Sequence, residues 1–140
     1  MAFTQDVRSA ARRHLRAAQI LHEQSGPGDQ PGCAAVAGYL FGLAGELAVK
    51  EIMRRSGMTP LPDAQRGDDP FFAHFPVLKT MLATAFGRRS GELRQLSDDP
   101  CLFQNWDVAM RYAPTTDVKA TWVERWKDSA EELIDRMEMT

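Results

Sequence analysis

Cysteine is scarce in this chain. Cys33 and Cys101 are the only two among 140 residues, and they form neither a Cys-x-x-Cys pair nor the framework of a secreted disulfide protein. The expectation is two reduced thiols in the cytoplasm. Histidine is scarce too: His14 and His22 stand eight apart, more than two helical turns, and His74 lies far along the chain. No Cys, His and carboxylate cluster has zinc spacing, so no metal is expected. Charge of one sign is also lacking. Seventeen Lys and Arg against 19 Asp and Glu leave a formal charge of −2, which argues against charge-driven nucleic-acid binding over the whole surface. No apolar run is judged to approach the roughly 18–20 residues that cross a bilayer, and no membrane partner is expected. The opening Met1-Ala2-Phe3-Thr4-Gln5-Asp6 lacks the basic start and apolar stretch of a signal peptide. A Gly-rich phosphate loop, a Gly-x-Ser-x-Gly elbow and a Cys–His nucleophile motif are missing as well, and no cofactor is expected. Period-two alternation is sustained nowhere, which leaves little or no room for sheet.

What is present is helical periodicity. Val7, Ala11, Leu15, Ala18 and Leu21 recur at three- and four-residue steps and predict a helix over 4–25, with Thr4 as N-cap. The Gly- and Pro-rich stretch 26–32 ends it. A second helix over 33–56 is apolar on nearly every face, which marks a central helix packed on several sides. Its Gly38, Gly42 and Gly45 leave shallow surface for a neighbouring helix. Glu46 and Lys50 stand four apart in the favourable order for an ion pair. After a loop over 57–70, a third helix is predicted over 75–86, stopped by Gly87, then a short helical piece over 92–96 and an irregular stretch over 98–114. Thr116 or Asp117 is expected to cap a last helix striped by Val118, Trp122, Trp126, Ala130, Leu133 and Met137. One domain of all-α class follows: an up-and-down bundle of four to five helices.

The order of landmarks adds to this. The central helix reads Ala37-Gly-Tyr-Leu-Phe-Gly-Leu-Ala-Gly-Glu46-Leu-Ala-Val-Lys50. Then come His74-Phe-Pro-Val-Leu-Lys79 and, before the last helix, Trp106-Asp-Val-Ala-Met-Arg111-Tyr112-Ala-Pro114. Over roughly residues 10–138 this pattern resembles the HEPN superfamily of prokaryotic toxins, defence components and nucleotide-binding modules. The resemblance implies a helical bundle, commonly a homodimer with a cleft at its interface. Many members are metal-independent ribonucleases with an Arg-x(4–6)-His motif, and others bind RNA, nucleotides or partner proteins. Here Arg111 is followed by Tyr-Ala-Pro-Thr-Thr-Asp-Val, with no histidine. Arg8–His14 and Arg16–His22 do have the spacing. However, 13 arginines and three histidines yield about one such match by chance, and both lie in the first helix, away from the family's catalytic position.

Several groups are candidates for chemistry. Arg111, Tyr112, Trp106 and Asp107 suit a phosphate held by a guanidinium with a base stacked on a ring; the alternative is an Arg–carboxylate pair with aromatics closing the bundle end. His74 suits a general acid or base, or a helix cap. Glu46 and Lys50 suit a cleft wall or a buried ion pair. Arg8, Arg12, Arg13 and Arg16 form a basic stripe, which fits a nucleic-acid backbone or simply a solvated face, opposite an acidic last helix. Three functions remain open: an RNA-, nucleotide- or partner-binding module of a defence or toxin–antitoxin type system, a ribonuclease using Arg111 and His74, and a protein-binding adaptor or immunity protein.

Overall fold

The helical periodicity is realised as a set of α-helices, five of them among the described residues. A computed structural model of the chain describes residues 5–24, 31–83 and 91–139. Among these residues every regular element is helical: α1 (Val7–Glu23), α2 (Pro31–Arg55), α3 (Val77–Met81), α4 (Gly91–Asp98) and α5 (Ala120–Glu138), joined in part by short 3-10 turns. The fold is an all-α bundle.

The helix ends show where local chemistry overrode pattern. Thr4 lies outside the described residues, and the N-cap of α1 is Asp6, whose carboxylate accepts from the Ser9 N–H (3.0 Å) and hydroxyl (2.7 Å). At the end of α2 the chain turns through Gly57 at φ +91°, where a side chain would be strained. The Met58 and Gly57 N–H groups donate back to the Met53 and Arg54 carbonyls, both at 3.1 Å. α3 starts at Val77 rather than residue 75, because Pro76 biases the residue before it away from helical geometry. Phe86 and Gly87 lie outside the described residues. Neither Thr116 nor Asp117 caps α5. Thr115–Asp117 is a 3-10 turn of its own, Val118 is extended, and α5 begins after Lys119 with no side-chain cap.

α2 packs along both α1 and α5, which meet each other over a shorter stretch. Arg8, at the start of α1, bonds the Met137 carbonyl at the end of α5 (2.9 Å), and His22, near the end of α1, reaches Glu124 near the start of α5 (2.8 Å). α1 therefore runs antiparallel to α5. Arg55, at the end of α2, bonds the Arg136 and Met137 carbonyls at 3.0 and 3.2 Å, so α2 and α5 run parallel. The two arginines cap the carbonyl end of α5, where the helix dipole favours positive charge. Phe41, Ile52 and Met53 of α2 meet Trp126, Leu133 and Met137 of α5 and Leu78 and Leu93 from the connection in one core. Each such large apolar side chain contributes about 1.5–3 kcal/mol on burial.

One expectation needs correcting. α2 is long and apolar enough, over Cys33–Arg55, to cross a bilayer by length and composition. Half of that window is buried in the bundle. A helix packed on several sides needs the same apolar composition as one surrounded by lipid.

The glycines of α2 set its closest contacts. A Cβ on Gly42 would stand 1.9 Å from Cε2 of Trp106, and one on Gly45 would stand 2.4 Å from Cζ of Phe103. The neighbour that approaches here is therefore a pair of aromatic side chains from the 98–114 connection; only Gly38, against Trp126 and Val123, faces a helix. Gly42→Ala is expected to lower stability by about 1–3 kcal/mol through overpacking, despite the better helix propensity of alanine. Urea unfolding checks this, and an unchanged or raised midpoint would mean that Trp106 does not dock there.

Candidate functional site

Glu46 projects from the middle of α2 and is only 2% exposed. Burying a carboxylate is costly unless donors meet both oxygens. Here they do. The backbone N–H of Phe75 donates to Oε1 (2.8 Å), and Nδ1 of His74 donates to Oε2 (2.8 Å). Burial is the largest influence on Glu46 and raises its pKa above the usual carboxylate value; the His74 and Phe75 hydrogen bonds pull the other way. The expected Glu46–Lys50 ion pair does not form, because donors aimed from 74–75 already occupy both oxygens and no carboxylate among the described residues lies within 4.0 Å of Lys50.

The His74 side chain remains 48% exposed. When Glu46 is ionised its oxygens can only accept, so Nδ1 of a neutral His74 ring carries the proton and the Nε2 lone pair is left available. His74 lines a surface cleft of about 600 Å³ together with Arg66, Asp69, Phe72 and Asp107. Asp69 is buried and accepts from the Leu61 and Phe71 N–H groups at 2.9 and 3.0 Å. Asp107 accepts from the Ala109 N–H (2.8 Å) and caps the 3-10 turn Val108–Tyr112. Both carboxylates therefore shape backbone.

That 3-10 turn carries Arg111 and Tyr112 to the surface. Trp106, just before it, is 1% exposed and donates Nε1–H to the Gly38 carbonyl at 3.1 Å. It presents no face to a ligand; its role is to back Tyr39, whose ring lies stacked on it at 5.9 Å and 10°. The Tyr39 hydroxyl is 3.3 Å from Nη1 of Arg111, which donates to it. The guanidinium also sits 4.9 Å from the Tyr112 ring, and Tyr112 is 80% exposed. Arg111 pairs with no carboxylate among the described residues. Its charge faces solvent between two tyrosines, and the hydrogen bond to the Tyr39 hydroxyl does most to raise its pKa above the usual value.

The structure thus distributes the candidate residues. Tyr39, Arg111 and Tyr112 form one surface, and Glu46 and His74 form a dyad at the cleft. Arg111 does not line that cleft, and no hydrogen bond or ring contact joins it to His74 among the described residues. Lys50 belongs to a separate cavity, described below. Tyr39 was missed as a site residue. Its signal was a tyrosine on an otherwise apolar helix, a ring with a polar tip that seeks the boundary of the core.

The basic stripe of α1 is only partly free. Arg8 and Arg12 both bond Glu138 of α5, while Arg13 and Arg16 stay exposed. Much of the charge asymmetry between first and last helices is therefore answered inside the bundle. The two chance Arg-x-His spacings dissolve similarly, since His14 Nδ1 bonds the Ala10 carbonyl (2.7 Å) and His22 meets Glu124.

No protein-family model, curated protein or solved structure matches this chain. Function has to be read from the residues and their geometry.

A carboxyl whose pKa is higher in the folded than in the unfolded state contributes its full stability below the unfolded value, near 4.5, and loses it as pH rises through the folded value. As pH rises from about 4.5 through the folded value, wild type should therefore lose stability relative to Glu46→Gln. Urea unfolding of both proteins across that range measures the difference, and a gap moving the other way would show that the ionised Glu46–His74 pair is the favoured form.

Proposed function

We propose that this protein is an HEPN-like helical module that binds single-stranded RNA or a nucleotide through Tyr39, Arg111 and Tyr112, working as a cytoplasmic homodimer. One observation carries this reading: Arg111 is exposed, pairs with no carboxylate among the described residues and is held between two tyrosines. A guanidinium without a protein anion suits a phosphate, to which it can donate two parallel hydrogen bonds. An exposed ring beside it suits a base, because stacking tolerates any sequence. The buried Trp106 beneath Tyr39 holds one side of the frame still, which lowers the ordering cost of binding.

A second reading draws on the Glu46–His74 hydrogen bond. A histidine whose Nδ1 is held by a buried carboxylate has its Nε2 set to accept a proton from a ribose hydroxyl, as a metal-independent ribonuclease requires. This reading places the base in a cleft that Arg111 does not line, so phosphate stabilisation there would fall to Arg66.

Fluorescence anisotropy with a labelled single-stranded RNA separates these readings. Arg111→Ala should weaken binding across sequences and reduce the slope of log K against log salt by about one. Tyr112→Ala should weaken it roughly tenfold or more, and His74→Ala should leave it nearly unchanged. Unaltered binding by Arg111→Ala would refute the proposed surface. Cleavage of the RNA by wild type, lost in His74→Ala, would establish the ribonuclease.

A further inference from the structure

A second cavity, of about 530 Å³, lies between the start of α1, the middle of α2 and the 60–72 connection. Its walls include Leu47, Phe71 and Phe72, and two cations line it, Lys50 from α2 and Arg13 from α1. Neither cation makes a hydrogen bond or ion pair among the described residues. The carboxylates nearby are all engaged elsewhere. Glu46 takes His74 and the Phe75 N–H, Asp69 takes the Leu61 and Phe71 N–H groups, and Asp6, in the cavity wall, takes the Ser9 N–H and hydroxyl.

Lys50 is half-buried, and loss of hydration lowers its pKa below the usual lysine value, against the pull of Glu46 and Asp69. A partly desolvated ammonium with no anion in contact is costly, and the exposed Arg13 adds a second positive charge to the cavity wall. A lysine with only a structural role would more simply pair with Glu46 one turn away, and it does not. An anion entering the cavity compensates Lys50 and comes within reach of a second cation at the rim, while the phenylalanine walls give an attached apolar body somewhere to bury.

We propose that this cavity is a binding site for a small aromatic anion, its acidic group held between Lys50 and Arg13 and its ring against Phe71 and Phe72. The site is separate from the Arg111 surface and does not depend on RNA binding there. The anionic group is a carboxylate or a phosphate, and the probes distinguish them.

Titration of the isotope-labelled protein with phenyl phosphate, benzoate, inorganic phosphate and benzyl alcohol, followed by NMR, tests this. Phenyl phosphate, benzoate or both should shift the signals of Lys50, Phe71 and Phe72. Inorganic phosphate and benzyl alcohol, each carrying half of the chemistry, should bind at least about tenfold more weakly than the better aromatic anion. Lys50→Met should weaken that anion about tenfold or more and Arg13→Gln several-fold, with Arg111→Ala unchanged. Ligand-free Lys50→Met should unfold at the same or higher denaturant concentration, since it removes an uncompensated charge. Equal binding by wild type and both variants, absence of any binding by the two aromatic anions, or a less stable Lys50→Met would overturn the proposal.

Discussion

Two aromatic rings seated on two glycines hold the candidate surfaces of this molecule together. The connection between α2 and α5 is long, and its described residues form only short helical pieces, so little of that part can dock by helix–helix packing. It docks instead by placing Trp106 over Gly42 and Phe103 over Gly45, at distances no larger residue in α2 would permit. Phe75 completes the contact, stacked on Phe103 at 4.9 Å and edge-on to Trp106 at 6.4 Å. From this seat the rest follows. Trp106 supports Tyr39, Tyr39 steadies Arg111, and Phe75 brings its own N–H and the neighbouring His74 onto Glu46.

The polar groups in and around α2 are arranged on a common rule. Buried acceptors are met by aimed donors: Glu46 by a backbone N–H and an imidazole, Asp69 by two backbone N–H groups. Lys79 does similar work from the other direction, donating to the Asp99 and Leu102 carbonyls and tying α3 to the connection. Cations that shape the fold are equally well matched, as with Arg55 on Glu92 and on the end of α5. Several cations have protein partners that are neutral or missing among the described residues; among them Arg111 is held between two tyrosines and Lys50 is half-buried beside a cavity that Arg13 also lines. Placement beside rings or a cavity, and not the bare lack of a counter-ion, marks these as places where an outside anion has most to gain.

The helices were legible because periodicity reports burial. The stripe Trp126, Ala130, Leu133, Met137 is buried in α5, and Ala11 and Ala18 are buried in α1, as their spacing implied. The central place of α2 was legible from its apolar faces. Helix starts were less so. Asp6 in place of Thr4 and Lys119 in place of Thr116 or Asp117 reflect backbone hydrogen bonds that several neighbouring residues could equally have made. Among the candidate residues, Arg111 and Tyr112 were legible as polar and aromatic groups clustered in a loop, and His74 as an imidazole at a helix start.

By itself the sequence determined the class of fold, the helix that others pack around and the small set of residues able to do chemistry, since composition and period act within one segment. Only the tertiary structure decided the partners. Glu46 lies one turn from Lys50, yet it bonds a histidine 28 positions away, and Lys50 turns instead to a cavity shared with Arg13. Trp106 read either as a base-stacking ring or as an aromatic closing the bundle end, and its burial beneath Tyr39 fits the second. The reason is common to all three. Which donor reaches a buried acceptor depends on how the 56–119 connection folds back onto α2, and that path is set by long-range packing that no local pattern records.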